Sequence, residues 1–139
     1  MTLVGRLPSV LSWGRSGHRG DIMNIRAERG AIDGVPVLTV FGNLAFDTSG
    51  WLLMWADEAW DPKRKLLILD LQGVDHLDSA GVTELVLIKK RARRQGGNVI
   101  LTHVSEVARY VLNIMGLQEP LEVYDTPQEA LAAQRTGTG

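Results

Sequence analysis

The sequence predicts a single α/β domain, a mixed, mostly parallel central sheet flanked by helices in the order ββαβαβαβα. The clearest observation is residues 66–71, an apolar run interrupted only by Asp70, which predicts a strand covered by helices on both faces. Strand-like and helix-like segments then alternate to the end of the chain, which favours parallel strands joined by right-handed crossovers. The length of 139 residues fits one such domain with a sizeable core.

The first part of the domain is predicted to hold two strands and a helix. Residues 23–28 alternate between apolar and polar side chains, which predicts a strand with one solvated face. The turn signal Asp33-Gly34 leads to a second, antiparallel strand over residues 35–41. The loop after it ends at Thr48, the predicted N-cap of a helix that reaches residue 60. The spacing of three tryptophans in this helix predicts core packing: Trp51, Trp55 and Trp60.

The second part is predicted to begin with a helix from Ser79 to about residue 95, stopped by Gly96-Gly97. Its inward face has helical spacing: Gly81, Leu85, Ile88 and Ala92. After a strand over residues 98–103 comes the most clearly amphipathic helix, with apolar residues at steps of three and one: Val104, Val107, Ala108, Val111, Leu112 and Met115. A short strand over residues 121–124 and a helix opened by the capping box Thr126-Pro127-Gln128-Glu129 complete the order.

Composition and charge narrow the classes of function. The net charge of −1 argues against a general nucleic-acid binder, or a protein held on an anionic membrane by charge. The absence of cysteine excludes disulfides and thiolate metal sites, and it suits a reducing cytosol. No apolar run approaches the roughly 18 residues that predict a membrane span.

We divide the chain into a flexible N-terminal extension (residues 1–21), the domain itself (residues 22–134) and a frayed tail (residues 135–139). The apolar pairs of the extension are interrupted by Gly5, Arg6 and Pro8, so it lacks the continuous apolar core of a signal peptide. We expect the extension to be poorly ordered, with Met23 opening the domain.

The sequence lacks the common motifs for metal binding, for a nucleophilic serine and for phosphate-binding loops. His18, His76 and His103 lie far apart and have no metal-ligand spacing, so no metal or cofactor site is predicted. The sequence around Ser79 is not Gly-x-Ser-x-Gly, and neither type of phosphate-binding glycine loop occurs. The basic run near the end of the second helix is typical of a solvated helix terminus: Lys89, Lys90, Arg91, Arg93 and Arg94.

Ser79 remains, and its position has two interpretations. Ser79 or Asp78 could only cap the helix, by accepting a hydrogen bond from a backbone N–H group. Alternatively, a phosphoryl group on Ser79 would lie at a helix N-terminus, where N–H groups and the helix dipole tolerate negative charge. Val82, Val86 and Lys90 continue a stripe from Ser79, and the two valines would form a docking patch if they are exposed.

These motifs resemble the STAS domain of anti-sigma factor antagonists. The resemblance covers residues 23–133 and rests mainly on Leu77-Asp78-Ser79-Ala80-Gly81 after the apolar strand. Weaker motifs occur in the same order: Gly42-x-Leu44-x-x-x-Thr48, Leu69-Asp70-Leu71, Gly96-Gly97, Met115-Gly116-Leu117 and Leu121-Glu122-Val123-Tyr124.

The resemblance implies a cytoplasmic bacterial protein that acts through its partners and is neither an enzyme nor a cofactor-binding protein. Unphosphorylated, it would bind an anti-sigma factor that is also a serine kinase, so that the sigma factor is released. The kinase would phosphorylate Ser79 and end the complex, and a metal-dependent serine phosphatase would reverse the modification. We expect a monomer or weak dimer. The predicted partner contacts are Asp78, Ser79, Gly81, Val82, Val86 and Lys90, with Asn43, Ala45, Asp47 and Thr48 in the first loop.

The chain departs from the family pattern in that first loop. The family usually has Gly-Glu-Leu-Asp, whereas this chain has Gly42-Asn43-Leu44-Ala45, with Asp47 two positions further on. The family also includes scaffold subunits of stress-signalling complexes and accessory subunits of lipid-transport systems. A scaffold would form stable high-order assemblies.

Overall fold

The computed structural model describes residues 10–12, 24–115 and 121–135. Within these residues there are six strands: β1 (Val10–Ser12), β2 (Ile25–Ile32), β3 (Val35–Leu44), β4 (Leu66–Leu77), β5 (Asn98–Thr102) and β6 (Val123–Tyr124). There are four α-helices: α1 (Trp51–Ala59), α2 (Ser79–Arg94), α3 (Glu106–Ile114) and α4 (Pro127–Arg135). A single 3₁₀ turn, Phe46–Thr48, precedes α1.

The strands form one sheet in which neighbours in sequence are neighbours in space. Strands β1, β2 and β3 are antiparallel, and β3 to β6 are parallel. From β2 onward the order is the predicted ββαβαβαβα, which confirms the fold class.

The two predicted flexible ends need correction where the structure describes them. Val10–Ser12 forms an edge strand against β2, with Val10 opposite Glu28, so this part of the extension is not loose. The other residues of the extension before Asn24 lie outside the described residues. Arg135 closes α4 and pairs with Asp33 in the β2–β3 turn, whereas residues 136–139 are also outside the described part.

Two apolar layers cover the sheet. Leu67, Leu69 and Leu71 of β4 face a large core built with α1, α2 and α3. Ile68, pointing the other way, packs in a smaller core with Leu131 of α4. The apolar run of β4 is therefore covered on both faces, as predicted. Trp55 is buried, and Trp51 and Trp60 pack against the same large core.

Strand β4 is longer than its apolar run because β3 continues beside it. The polar segment that follows the apolar run stays in parallel pairing with β3, with Asn43 opposite His76 and Leu44 opposite Leu77. Gly73 makes this possible, since a Cβ there would lie 2.2 Å from the Phe41 ring. The strand thus delivers the chain directly to Asp78 and Ser79.

Candidate functional site

Ser79 is the first residue of α2, and its side chain is exposed to solvent. Asp78 is the N-cap: its Oδ1 accepts hydrogen bonds from the backbone N–H groups of Ala80 (2.9 Å) and Gly81 (3.1 Å). Its Oδ2 accepts a third bond from the N–H of Phe46 (3.2 Å). Asp78 therefore caps the helix and ties it to the 3₁₀ turn, and the Ser79 hydroxyl is not the cap.

The first turn of α2 lies against the end of β3. The N–H of Asp78 donates to the carbonyl of Leu44 at 3.1 Å. A Cβ on Gly81 would come within 2.1 Å of the same oxygen, so a side chain there would force the helix away. Gly81 is buried and belongs to the packing of the turn, which corrects its prediction as a direct partner contact.

Asp78 carries its charge under ordinary conditions. Partial desolvation opposes ionisation, but the hydrogen bonds from Gly81, Phe46 and Ala80, together with the charged form of His76, leave its pKa below the ordinary value of 3.8. Ser79 is thus next to a permanent negative charge at neutral pH.

The first loop supports the site from inside. The Thr48 hydroxyl accepts from the N–H of Ala45 (3.1 Å) and donates to the carbonyl of Asn43 (2.9 Å). Thr48 is fully buried and Ala45 is 6% exposed, so neither is available to a partner and both predicted contacts are wrong. Thr48 is also not the N-cap of α1, because that position belongs to Gly50. Asp47 remains exposed.

Phe46 is a surface residue that the sequence analysis missed. Its side chain is 81% exposed although its backbone N–H is bonded to Asp78. The available signal was an aromatic residue in a polar loop, directly after the position where the family has a carboxylate. An aromatic ring held this far into solvent, on a residue bonded to the N-cap of α2, is a candidate contact for a protein partner.

The predicted valine stripe on α2 is corrected by the structure. Val82 is fully buried and Val86 packs, half-buried, against the large core, so they do not form an exposed patch together. The helix buries a wider face than a single stripe because both the sheet and α1 pack against it. The exposed line that begins at Ser79 instead continues through Thr83 and Leu87, with Lys90 also exposed.

A second polar pair in the described part of the chain involves His103 and Asp70. His103 lies at the end of β5, where its Nδ1 is 2.8 Å from Oδ1 of the buried Asp70. Among residues 24–115 and 121–135, His, Asp and Glu side chains form no group of three or more suited to a metal ion. No helix in the described part of the chain is long and apolar enough to cross a membrane.

Comparison with known proteins identifies the fold family. Residues 26–130 match the STAS domain. An anti-sigma F factor antagonist of Paenibacillus polymyxa is 26% identical over 110 residues, which are 78% of this chain and 94% of that protein.

Solved structures agree. An anti-sigma factor antagonist of Mycobacterium paratuberculosis superimposes with a TM-score of 0.68 at 24% identity, over 80% of this chain and 94% of that one. A STAS domain protein of Planctomyces limnophilus gives a TM-score of 0.66 at 26% identity, over 77% and 95%. Because the family match covers most of the chain, this chain belongs to the STAS domain family.

Proposed function

We propose that this chain is an anti-sigma factor antagonist that phosphorylation of Ser79 switches off. Unphosphorylated, it binds a serine-kinase anti-sigma factor in the bacterial cytoplasm and releases the sigma factor. A metal-dependent serine phosphatase removes the phosphoryl group and restores the active, unphosphorylated form. The chain is substrate and ligand in this cycle, not the enzyme. The observation that carries the proposal is an exposed serine at the first position of α2, fixed by Asp78 and Gly81.

The hydrogen bonds around Asp78 suggest how the switch works. A phosphoryl group adds about −1.5 to −2 charges at neutral pH. At an uncapped helix, the first N–H groups would bind it, but here Asp78 already accepts from Ala80 and Gly81. The new charge therefore stays at the surface beside the ionised Asp78. The modification changes what a partner meets without rebuilding the domain.

Asp47 is our candidate for the missing loop carboxylate. The residue at the family position, Ala45, is 6% exposed and lies under the 3₁₀ turn. Asp47 is exposed in the same turn, next to Phe46, whose N–H group holds Asp78. We propose that Asp47 supplies the negative charge that a kinase partner meets in this loop.

The decisive experiment is phosphotransfer. The chain is incubated with the kinase-type anti-sigma factor of the same organism and ATP, and the modified residue is mapped by mass spectrometry. We expect one phosphoryl group on Ser79 and none on Ser79→Ala. Thr83→Ala is the matched control, because Thr83 is the next exposed hydroxyl on the same helix. Transfer to Thr83, or no transfer, would reject the proposed switch.

A binding measurement tests the consequence of the charge. Ser79→Asp is expected to weaken the complex by about tenfold or more, since it places a carboxylate in the interface. Ser79→Asn has similar size without the charge, and it should bind more tightly than Ser79→Asp. Equal affinities for the two variants would show that charge is not the signal.

A further inference from the structure

Helix α3 exposes an unusual amount of apolar surface. It buries only Ala108 and Leu112, although the sequence predicts a broad inward face. Of the seven large hydrophobic side chains exposed in the described part of the chain, four belong to this helix or its C-cap: Val107 (74%), Tyr110 (65%), Ile114 (62%) and Met115 (38%). Contiguous exposed apolar residues on a small domain mark an interaction surface.

A groove lies beside this helix. It has a volume of about 480 Å³ and separates the first half of α3 from the last residues of β4. Val74 and Leu77 form one wall, and Val107, Ala108 and Val111 form the other. The groove is therefore large enough for several apolar side chains.

The groove is close to Ser79 along the chain. Leu77, in its wall, is the last residue of β4, and Asp78 and Ser79 follow it directly. The N–H of the exposed Phe46 is bonded to Asp78. Asp78 therefore connects Ser79 to both apolar features, to the groove through the chain and to Phe46 through a hydrogen bond.

The surroundings of the groove are acidic. Asp75 lines it beside His76, Glu106 opens α3, and Asp47 follows Phe46 in the chain; all three carboxylates have exposed side chains. None of these three carboxylates forms an ion pair with another described residue. A segment that fills the groove would gain from basic residues at its ends.

We infer that this groove is a second contact for the partner that meets Ser79, and that it takes an apolar segment of the anti-sigma factor flanked by lysine or arginine. The inference rests on the proposed function. The surface of one helix turn around a serine is far smaller than the roughly 800 Å² of surface that each partner buries in a stable complex. The groove, whose wall ends two residues before Ser79, and the exposed Phe46, bonded to Asp78, offer apolar surface that would enlarge the contact.

In this arrangement the groove and Ser79 have different roles within one interface. The groove supplies apolar contact that holds the partner, whereas Ser79 at its end supplies the charge that breaks the contact. Variants in the groove should therefore raise the KM of the kinase for this chain and leave kcat nearly unchanged. Phosphorylation of Ser79 at saturating concentration should persist in them.

Val107→Ser changes the groove wall, and Tyr110→Ser changes the exposed apolar surface of α3 one turn further along. Gln128→Ser is the matched control on α4, which covers the opposite face of the sheet. Calorimetry measures the binding of each unphosphorylated variant to the kinase-type anti-sigma factor, and thermal unfolding checks that the variant is folded. We expect each α3 variant to bind about tenfold more weakly and the control to bind like the wild type.

Asp75→Asn with Glu106→Gln should reduce the salt dependence of association, whereas Glu129→Gln on α4 should not.

The outcomes separate the inference from the proposed function. Full affinity in both α3 variants, with weaker binding by Ser79→Asp, overturns the groove contact and leaves the switch standing. A wild-type chain that neither binds the kinase nor accepts phosphate rejects both. If light scattering finds a dimer that Val107→Ser dissociates, the occupant of the groove is a second copy of this chain and not the segment inferred here.

Discussion

The N-termini of α1 and α2 are both bound by a carboxylate, but the two carboxylates have opposite surroundings. At α2, Asp78 caps its own helix at the protein surface. At α1, the N-cap is Gly50, which has no side chain, and the carboxylate comes from Glu84 in the middle of α2. Glu84 Oε2 accepts from the N–H groups of Gly50 (3.0 Å) and Leu53 (2.8 Å).

The two carboxylates differ in their exposure to solvent, and their pKa values shift in opposite directions. Glu84 is 3% exposed, and this burial raises its pKa although the N–H groups of Leu53, Gly50 and Leu52 favour the charge. Asp78 is less buried, and its hydrogen bonds outweigh desolvation, so its pKa is lowered. The same pairing of carboxylate and helix N-terminus therefore joins two helices in one place and keeps a negative charge beside Ser79 in the other.

Removing the internal carboxylate should have the largest effect on stability. Glu84→Ala leaves the N–H groups of Gly50 and Leu53 without their acceptor, and we expect the free energy of unfolding to fall by about 2 to 4 kcal/mol. Urea denaturation measures this. Glu58→Ala, an exposed glutamate on α1, should change stability by less than about 0.5 kcal/mol. Equal losses in the two variants would mean that Glu84 does not join the helices.

The close approach of α2 to β3 should be the next most sensitive feature. Gly81→Ala places a methyl group 2.1 Å from the Leu44 carbonyl oxygen, and the helix must shift, at a cost of about 1 to 3 kcal/mol. Because the shift moves Ser79, phosphotransfer should slow as well. Ala80→Gly tests the same turn without adding volume, and its phosphotransfer should remain close to that of the wild type.

Much of this architecture follows from the sequence because apolar patterns and the residues that begin or end helices are local signals. The apolar run of β4, the glycines after α2 and the capping box before α4 each specify an element without reference to the rest of the fold. The inward residues of α2 were also predicted correctly, since helical spacing depends on the helix alone. Ser79 could be singled out as a candidate because the motif around it is compact, and its phosphorylation stays a prediction.

The parts that sequence analysis missed depend on distant neighbours. Val82 is buried because α1 and the sheet widen the covered face of α2, which helical spacing does not reveal. Strand β4 extends past its apolar run because β3 happens to be long enough to pair with it. Glu84 looks like a surface residue of an amphipathic helix until the start of α1 is placed against it.

The surface cap should contribute less than the buried one. Asp78→Ala removes the acceptor for Ala80 and Gly81, and we expect a loss of about 1 kcal/mol at pH 7. Since the pKa of Asp78 is lowered in the folded state, its charge stabilises the fold above pH 3.8, and this contribution is lost as the pH falls through the folded-state pKa. The difference between the wild type and Asp78→Asn should therefore shrink below pH 3.8 in urea titrations. A constant difference would mean that the charge does not contribute.

Glu84 should show the opposite pH dependence. Its pKa is raised in the folded state, so the folded chain holds its proton more tightly than the unfolded chain does. Stability relative to Glu84→Gln should be greatest below pH 4.5, the ordinary value, and should decline as the pH rises through the folded-state pKa. Urea titrations of both chains from pH 4 to 8 measure this decline. A difference that grows with pH would show that the N–H groups of α1 outweigh burial.

The smallest effect on stability is expected at Ser79, the proposed site of phosphorylation. Ser79 is exposed and Asp78 already caps α2, so Ser79→Ala should change the free energy of unfolding by less than about 0.5 kcal/mol. The same variant should lose all phosphotransfer from the kinase. Thermal unfolding and mass spectrometry of one preparation test both halves together. A large loss of stability in Ser79→Ala would mean that the Ser79 side chain takes part in capping α2. The contrast with Glu84 would then fail, because Ser79 would be a structural residue of a helix N-terminus as Glu84 is.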